Sequence, residues 1–315
     1  MNIKTFFQLV EMRTKVASVI PYLVGTLYTL YAFDTFKPMN AILMFLSMLI
    51  FDMTTTAINN YIDYTKAIKK DGYGYEVHNA IHKHGLKTSH VRFLIYIMLF
   101  ISSILGILLA LNTNIIVLLL GMVCFTIGIL YTFGPLPISR TPFGELFSGL
   151  TMGLVLTFIT IYIHIFDQNV FNISWAHEIL TVSLNISVLI GIGIICIPLV
   201  TCIANIMLAN NICDMEEDLP NKRYTLPIYI GRKNALLLWE ILYYLAYVTI
   251  IVGVILSVLP WVSLLTLITI VPVVKNIKAF KAKQFKGETF ICAIKNFVLL
   301  NVVYILTLIL ALLFA

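Results

Sequence analysis

The chain has 315 residues, of which 60% carry apolar side chains and only 11% are charged. Soluble domains carry roughly 25% charged residues, so this composition excludes a water-soluble globular protein. The net charge of +6 accompanies no long basic run and no interleaving of basic with aromatic residues, so we expect no nucleic-acid partner. Apolar runs long enough to cross a bilayer recur along the chain. The sequence therefore predicts a multi-pass membrane protein surrounded by lipid.

Hydropathy predicts about nine membrane-spanning helices, which together form an all-α bundle. The predicted spans are 16–33, 40–62, 91–111, 115–133, 146–165, 179–209, 235–257, 258–274 and 289–314. The division between the seventh and eighth spans depends on Pro260 and a short turn, so eight spans are the alternative. We expect residues 1–315 to form a single transmembrane domain.

The basic residues fall almost entirely on one side of these spans. All but one of the 21 Lys and Arg residues lie in segments that share one face of the membrane, and Lys37 is the exception. These segments are 1–15, 63–92, 134–145, 210–234 and 275–295. By the positive-inside rule, this face is cytoplasmic and the amino terminus is inside. The longest polar loops lie on the same side, so we expect the site of chemistry to face the cytoplasm of the cell membrane.

The second predicted span ends in a polar stripe, T-T-T-A-I-N-N-Y-I-D. Asn59 and Asp63 are four residues apart and share one helical face, with Asp52 about 16 Å deeper at 1.5 Å per residue. An acid at that depth faces the bundle interior or a watered cavity. The stripe is typical of either an interhelical hydrogen-bond cluster or a functional site.

The sixth span leads into a second acidic motif, N-N-I-C-D-M-E-E-D. Asn210, Asp214 and Asp218 follow one another at four-residue spacing, and neighbouring acids destabilise a helix unless cations occupy the cluster. Mg²⁺ suits such oxygen ligands and prefers one or two carboxylates together with phosphate oxygens. The motif therefore predicts a magnesium site for a phosphate-bearing substrate. The alternative is a solvated helix end with Lys222 and Arg223 as counter-ions.

Several basic residues and histidines lie in the loops beside these motifs. Lys66 and Arg223 are nearest to the acidic faces and are candidate phosphate contacts, although topology alone also accounts for basic residues there. The loop containing His78, His82 and His84 is typical of a transition-metal site or of a lid over bound substrate. We expect the lid, because no further metal ligands accompany the histidines.

The two motifs, the nine spans and the charged loops between them resemble the UbiA superfamily of intramembrane prenyltransferases. The stretches Y-T-F-G-P-L-P-I-S-R-T-P-F-G-E at 131–145 and N-N-I-C-D-M-E-E-D-L-P-N-K-R-Y-T-L-P-I-Y-I-G at 210–231 are most similar to the MenA branch, the 1,4-dihydroxy-2-naphthoate polyprenyltransferases. The resemblance implies transfer of a polyprenyl group from polyprenyl diphosphate to 1,4-dihydroxy-2-naphthoate. Carbon dioxide and diphosphate would be lost, and demethylmenaquinol would form in menaquinone biosynthesis.

The resemblance also assigns roles to residues. It implies that Mg²⁺ is bound by Asn59, Asp63, Asp214 and Asp218, with the three aspartates as the catalytic acids. We further expect substrate contacts from Asn59, Lys66, Tyr131, Glu145, Asn210, Asn211 and Arg223. For Glu145, the alternative is a favourable charge at the start of the fifth span.

The sequence departs from the family pattern in its first motif. Ala67 stands where the family usually has another acid, and Asp71 is a candidate replacement. Two other functions remain open at this point. One is prenyl transfer to a different aromatic acceptor, and the other is secondary transport, which also uses acids within the membrane. Acids at helix ends rather than near mid-membrane favour the prenyltransferase.

Overall fold

The computed structural model describes residues 1–66, 79–176 and 178–314 of the chain. Within these ranges, nine helices are long and apolar enough to cross a membrane, which confirms the predicted multi-pass helical bundle. They are Met12–Phe33, Pro38–Thr65, Thr88–Leu111, Ile115–Thr132, Gly144–Ile165, Ile186–Asp218, Leu226–Ile255, Trp261–Ala282 and Ile291–Phe314. The seventh and eighth spans are separate, as the nine-span prediction requires.

The helices are numbered here in chain order. They are α1 (Ile3–Leu9), α2 (Val16–Phe33), α3 (Pro38–Lys66), α4 (Ala80–His84), α5 (Thr88–Leu111), α6 (Ile115–Thr132), α7 (Gly144–Ile165), α8 (Ile186–Asp218), α9 (Leu226–Ile255), α10 (Ile270–Ala282) and α11 (Ile291–Phe314). Short 3₁₀ segments occur at Met12–Lys15, Ile138–Arg140 and Trp261–Thr269, and α7 contains a π-helical segment at Gly149–Val155.

A β-hairpin between α7 and α8 was not predicted. Strands β1 (Phe171–Ala176) and β2 (Ile179–Leu184) pair antiparallel, with Phe171 opposite Leu184. The predicted sixth span is therefore wrong at its start, because 179–184 is a strand rather than helix. Asn185 caps the true beginning of α8, where its side-chain oxygen accepts a hydrogen bond from the Val188 N–H. Strand β2 is as apolar as the helix that follows it, so hydropathy alone assigned both to one span.

Helix α8 extends further than predicted and carries the second acidic motif within its last turns. Its last residue is Asp218, so the motif is helical rather than part of a loop. The next helix also begins early, at Leu226, but Gly231 interrupts it with a φ of 78°. That backbone conformation favours glycine, and it separates the Leu226–Ile230 turn from the membrane-spanning part of α9.

Helices α7 and α8 approach each other closely at the G-x-x-x-G pattern. A Cβ atom added at Gly153 would lie 2.5 Å from the Val200 backbone nitrogen, and one at Gly149 would lie 2.7 Å from the Val200 oxygen. This close approach packs α7 directly onto the helix that carries the second acidic motif. The main core contains residues of both helices and also includes Trp239 and Tyr304, which are fully buried.

Candidate active site

A cavity of about 1960 Å³ lies between α3, α6, α7 and α8, and both predicted acidic motifs line it. From α3, the lining includes Asp52, Asn59 and Asp63. From α8, the lining residues include Asn210, Asp214, Glu217 and Asp218. Two helices that are far apart in the sequence therefore present their polar faces to one space, as expected for a shared site.

The acids of α8 are more enclosed than the polar residues of α3. Asp214 is 7% exposed and Asp218 is 3% exposed, whereas Asn59 and Asp63 are exposed toward the cavity. Asn210 donates a hydrogen bond from Nδ2 to Asp214 Oδ2 at 3.3 Å. The four-residue spacing thus brings the following residues to the cavity wall: Asn59, Asp63, Asn210, Asp214 and Asp218.

Three cations lie between and beside the two acidic faces. Lys286 Nζ is 2.5 Å from Asp214 Oδ2, and Arg223 Nε is 3.3 Å from Asp218 Oδ1. Arg223, Lys286 and Arg140 also lie close enough to Asp63 for their charges to act on its carboxylate. The cations therefore link the two motifs electrostatically at the mouth of the cavity.

Lys286 was not predicted as a site residue, because the sequence indicated for it only a role in membrane topology. It is separated from Asp214 by 72 positions along the chain. No spacing pattern connects residues that far apart in the sequence. The segment 275–295 also contains several lysines, and nothing in the sequence distinguishes Lys286 from the others. Arg223, in contrast, was predicted as a phosphate contact and does lie on the cavity wall.

Glu145 and Asn211 do not face the cavity in the way that their predicted substrate contacts would require. Asn211 Nδ2 donates to Glu145 Oε1 at 2.8 Å, and the two residues are 0% and 4% exposed respectively. This bond ties the start of α7 to α8 behind the cavity wall. Tyr131 does line the cavity, and its hydroxyl donates to the Gly144 carbonyl at 3.3 Å. Tyr131 is therefore positioned to contact a bound substrate, whereas Glu145 and Asn211 connect α7 to α8.

Other predicted residues lie at the edge of the described ranges or beyond them. Lys66 is the last residue of α3, and the structure describes its backbone but not its side chain. Ala67, Asp71 and His78 also lie outside the described residues, so a replacement by Asp71 of the acid missing at Ala67 stays a prediction. His84 is exposed and its ring contacts the side chain of Gln8.

The oxygen donors on the cavity wall fit Mg²⁺ better than a softer metal. Among the residues in the described ranges, no group of three or more His, Cys, Asp and Glu side chains is positioned to hold a metal ion by itself. Mg²⁺ does not need such a group, because it keeps several waters and takes one or two carboxylates with substrate phosphate oxygens. Carboxylates from α3 and α8 that face a common space meet this requirement.

Below the charged mouth, the cavity continues as an apolar channel toward the opposite side of the bundle. Phe51 and Phe125 line this channel, and their rings stack on each other with centroids 3.9 Å apart. Buried apolar side chains line the deep end of the channel, namely Met44, Leu109, Val117 and Ile159. A molecule with a charged head and a long apolar tail matches this division of the cavity into two parts.

Comparisons with known proteins agree with this architecture. A sequence model of the UbiA prenyltransferase family matches residues 18–289. The 1,4-dihydroxy-2-naphthoate octaprenyltransferase of Bacillus subtilis (strain 168) is 31% identical over 255 residues, which cover 80% of this chain and 73% of that protein.

Solved structures share the fold over nearly the whole chain. A UbiA homolog from Aeropyrum pernix K1 superposes with a TM-score of 0.66 at 17% identity, covering 96% of this chain and 98% of the other. A UbiA homolog from Archaeoglobus fulgidus, bound to GPP and Mg²⁺, gives a TM-score of 0.64 at 12% identity, covering 98% and 99%. The chain therefore belongs to the UbiA prenyltransferase family and is a multi-pass membrane prenyltransferase.

Proposed function

We propose that this prenyltransferase transfers a polyprenyl group from polyprenyl diphosphate to 1,4-dihydroxy-2-naphthoate, releases carbon dioxide and diphosphate, and forms demethylmenaquinol for menaquinone biosynthesis. The acceptor rests on one observation, the 31% identity to the Bacillus subtilis octaprenyltransferase over 80% of this chain. The donor class is supported by the cavity, whose charged mouth and apolar channel suit a diphosphate with a long isoprenoid tail.

The two acidic motifs would hold Mg²⁺ between them, together with the diphosphate oxygens. Asn59 and Asp63 would contribute from α3, and Asp214 and Asp218 from α8. When bound there, Mg²⁺ supplies positive charge that offsets the negative charge of the diphosphate. Arg223 and its neighbouring cations at the mouth would neutralise the charge that remains.

The proposed reaction requires no oxidant, no reductant and no side-chain nucleophile. The bond between the allylic carbon and the diphosphate oxygen breaks, and its electron pair leaves with diphosphate. The ring carbon that bears the carboxylate forms the new carbon–carbon bond. Loss of that carboxylate as carbon dioxide returns an electron pair to the ring.

The protein's own contribution is to orient the two substrates and to exclude water from the allylic cation. The apolar walls below the mouth, including Phe51 and Phe125, shield the reacting carbon from water. The faces of aromatic rings also stabilise positive charge, and Tyr131 lies on the wall nearer to the acids.

The distribution of basic residues supports an orientation for this reaction. We place the amino terminus and the mouth of the cavity on the cytoplasmic side of the cell membrane, because nearly all Lys and Arg residues lie on that face. Water-soluble acceptor would then enter from the cytoplasm, while the isoprenoid tail enters from the lipid. On this proposal residues 1–315 act as a single membrane domain.

The test is a product assay with purified protein in detergent. Wild type, Asp214→Ala and a chelator-treated sample would receive octaprenyl diphosphate, Mg²⁺ and either 1,4-dihydroxy-2-naphthoate or 4-hydroxybenzoate. We expect a prenylated naphthoquinol and carbon dioxide only from the untreated wild type with the naphthoate. Product formed only from 4-hydroxybenzoate would overturn the acceptor and keep the enzyme class.

A further inference from the structure

A second polar cluster lies in the cavity wall, deeper than the two acidic motifs. Lys15 Nζ is 2.7 Å from Asp52 Oδ1 and 2.6 Å from Thr56 Oγ1, and Ser18 Oγ is 2.6 Å from Asp52 Oδ2. Ser18, Asp52 and Thr56 line the cavity, whereas Lys15 is 3% exposed and lies behind them. The reaction as described above uses none of these four residues.

Hydrogen-bond accounting shows what this cluster offers to a ligand. The Lys15 ammonium has three protons, and it faces three acceptors, because the Asp52 carbonyl is also within 3.2 Å. The hydroxyls of Ser18 and Thr56 donate to Asp52 as well, at 2.6 Å and 3.1 Å. The donors are thus occupied inside the cluster, while each carboxylate oxygen of Asp52 keeps a free lone pair.

A group that binds here must therefore donate a proton rather than accept one. A carboxylate would place its lone pairs against those of Asp52, but a ring hydroxyl would complete the network with a charge-assisted hydrogen bond. The hydroxyl at position 1 of 1,4-dihydroxy-2-naphthoate is adjacent to the carboxylate and donates to it internally. The hydroxyl at position 4 is free to donate to the protein.

The depth of Asp52 agrees with this assignment. Asp52 lies about 10 Å from Asn59 along the axis of α3 at 1.5 Å per residue. A hydrogen bond of about 2.7 Å at one end and a reacting contact of about 3–3.5 Å at the other leave room for one aromatic ring between them. An acceptor seated on Asp52 would thus present its ring to the allylic carbon below the diphosphate.

We propose that Asp52, held by Lys15 and Ser18, binds the acceptor by accepting a hydrogen bond from the ring hydroxyl at position 4. This inference rests on the proposed function, because it assumes a hydroxylated naphthoate as acceptor. It assigns Asp52 a role in choosing the acceptor that is separate from metal and diphosphate binding.

The test compares two ligands in anaerobic equilibrium binding, without a prenyl donor. One ligand is 1,4-dihydroxy-2-naphthoate, and the other is 1-hydroxy-2-naphthoate, which lacks the hydroxyl at position 4. Wild type should bind the dihydroxy ligand about 10-fold to 100-fold more tightly, as expected for one hydrogen bond to a charged group. The paired variant Lys15→Met/Asp52→Leu, which leaves no buried charge unpaired, should bind both ligands with similar affinity.

Two further variants keep the test informative. Asp52→Asn retains the shape of the side chain, so it should fold and should reduce the discrimination between the ligands. Lys37→Met/Asp167→Leu removes an ion pair from the opposite side of the membrane, where Nζ and Oδ2 are 2.5 Å apart, and should leave the discrimination at the wild-type value.

The outcomes separate this inference from the proposed function. Equal discrimination in wild type and in the Asp52 variants, with prenylation of the naphthoate intact, would overturn the role of Asp52 alone. Failure of wild type to bind or prenylate either naphthoate would overturn both proposals. Loss of discrimination in the Asp52 variants but not in the Lys37→Met/Asp167→Leu control would support the assignment.

Discussion

The apolar channel predicts a specific effect of blocking it at Gly121 on α6. Gly121 lines the cavity, and an added Cβ there would have no heavy atom within 4 Å. It lies about 15 Å deeper than Tyr131 along the helix axis at 1.5 Å per residue. A Gly121→Phe substitution would therefore place a large ring in the path of a long tail without disturbing the charged mouth.

The size of the effect depends on the length of the donor. Each isoprene unit adds four chain carbons, or about 5 Å when bonds of about 1.5 Å are extended. About three units therefore fit above Gly121, and longer donors must pass it. Forcing extra atoms into packed space costs about 1–3 kcal/mol, so kcat/KM for octaprenyl diphosphate should fall about 5-fold to 150-fold. Geranyl diphosphate, with two units, should react as it does in wild type.

Steady-state assays with both donors measure this change, and Gly193→Phe is the matched control. Gly193 is also a helical glycine whose added Cβ would meet no heavy atom within 4 Å, but it does not line the cavity. The control should leave both donors unaffected. Equal activity of Gly121→Phe with octaprenyl and geranyl diphosphate would show that the tail leaves the bundle before it reaches Gly121.

Two other substitutions test contacts at the site. Lys286→Met should raise the KM for the diphosphate donor about five-fold, because an exposed charge contributes at most about 1 kcal/mol. The control is Lys283→Met, which removes a lysine that pairs with Glu288 and does not line the cavity, and it should leave the KM unchanged. An unchanged KM in Lys286→Met would exclude a donor contact. Asn211→Leu should lower the free energy of unfolding by about 1.5–3 kcal/mol, because it removes the buried bond to Glu145. Thermal denaturation in detergent measures this loss, and the exposed Asn234→Leu serves as its control.

The membrane architecture was largely predictable because it follows from local composition. Spans such as Ile115–Thr132 coincide with their hydropathy maxima to within a residue or two. The acidic motifs were also predictable, since a four-residue period places side chains on one face of a helix wherever that helix packs. Asp214 and Asp218 therefore reach the cavity as expected.

Contacts between distant segments were not predictable from one sequence. Lys15 contacts Asp52 across 37 positions, and Lys286 contacts Asp214 across 72. Such tertiary contacts decide whether a charged residue only sets the membrane topology or also contributes to a site. They leave no periodic pattern in the sequence. Glu145 was predicted from the sequence to contact the substrate, and nothing in the sequence indicated that its carboxylate accepts a hydrogen bond from Asn211 in the fold.

The central claim is that the two acidic motifs act together on one magnesium-bound diphosphate. A double-mutant cycle on Asp63→Asn and Asp218→Asn, read by Mg²⁺-dependent binding of geranyl thiodiphosphate, tests it most directly. If both aspartates act through one complex, each single variant should lose most of the binding and the double variant should lose little more. Asp167→Asn, on the opposite side of the membrane, should bind as wild type. Binding that persists without Mg²⁺, or losses that simply add in the double variant, would contradict the account.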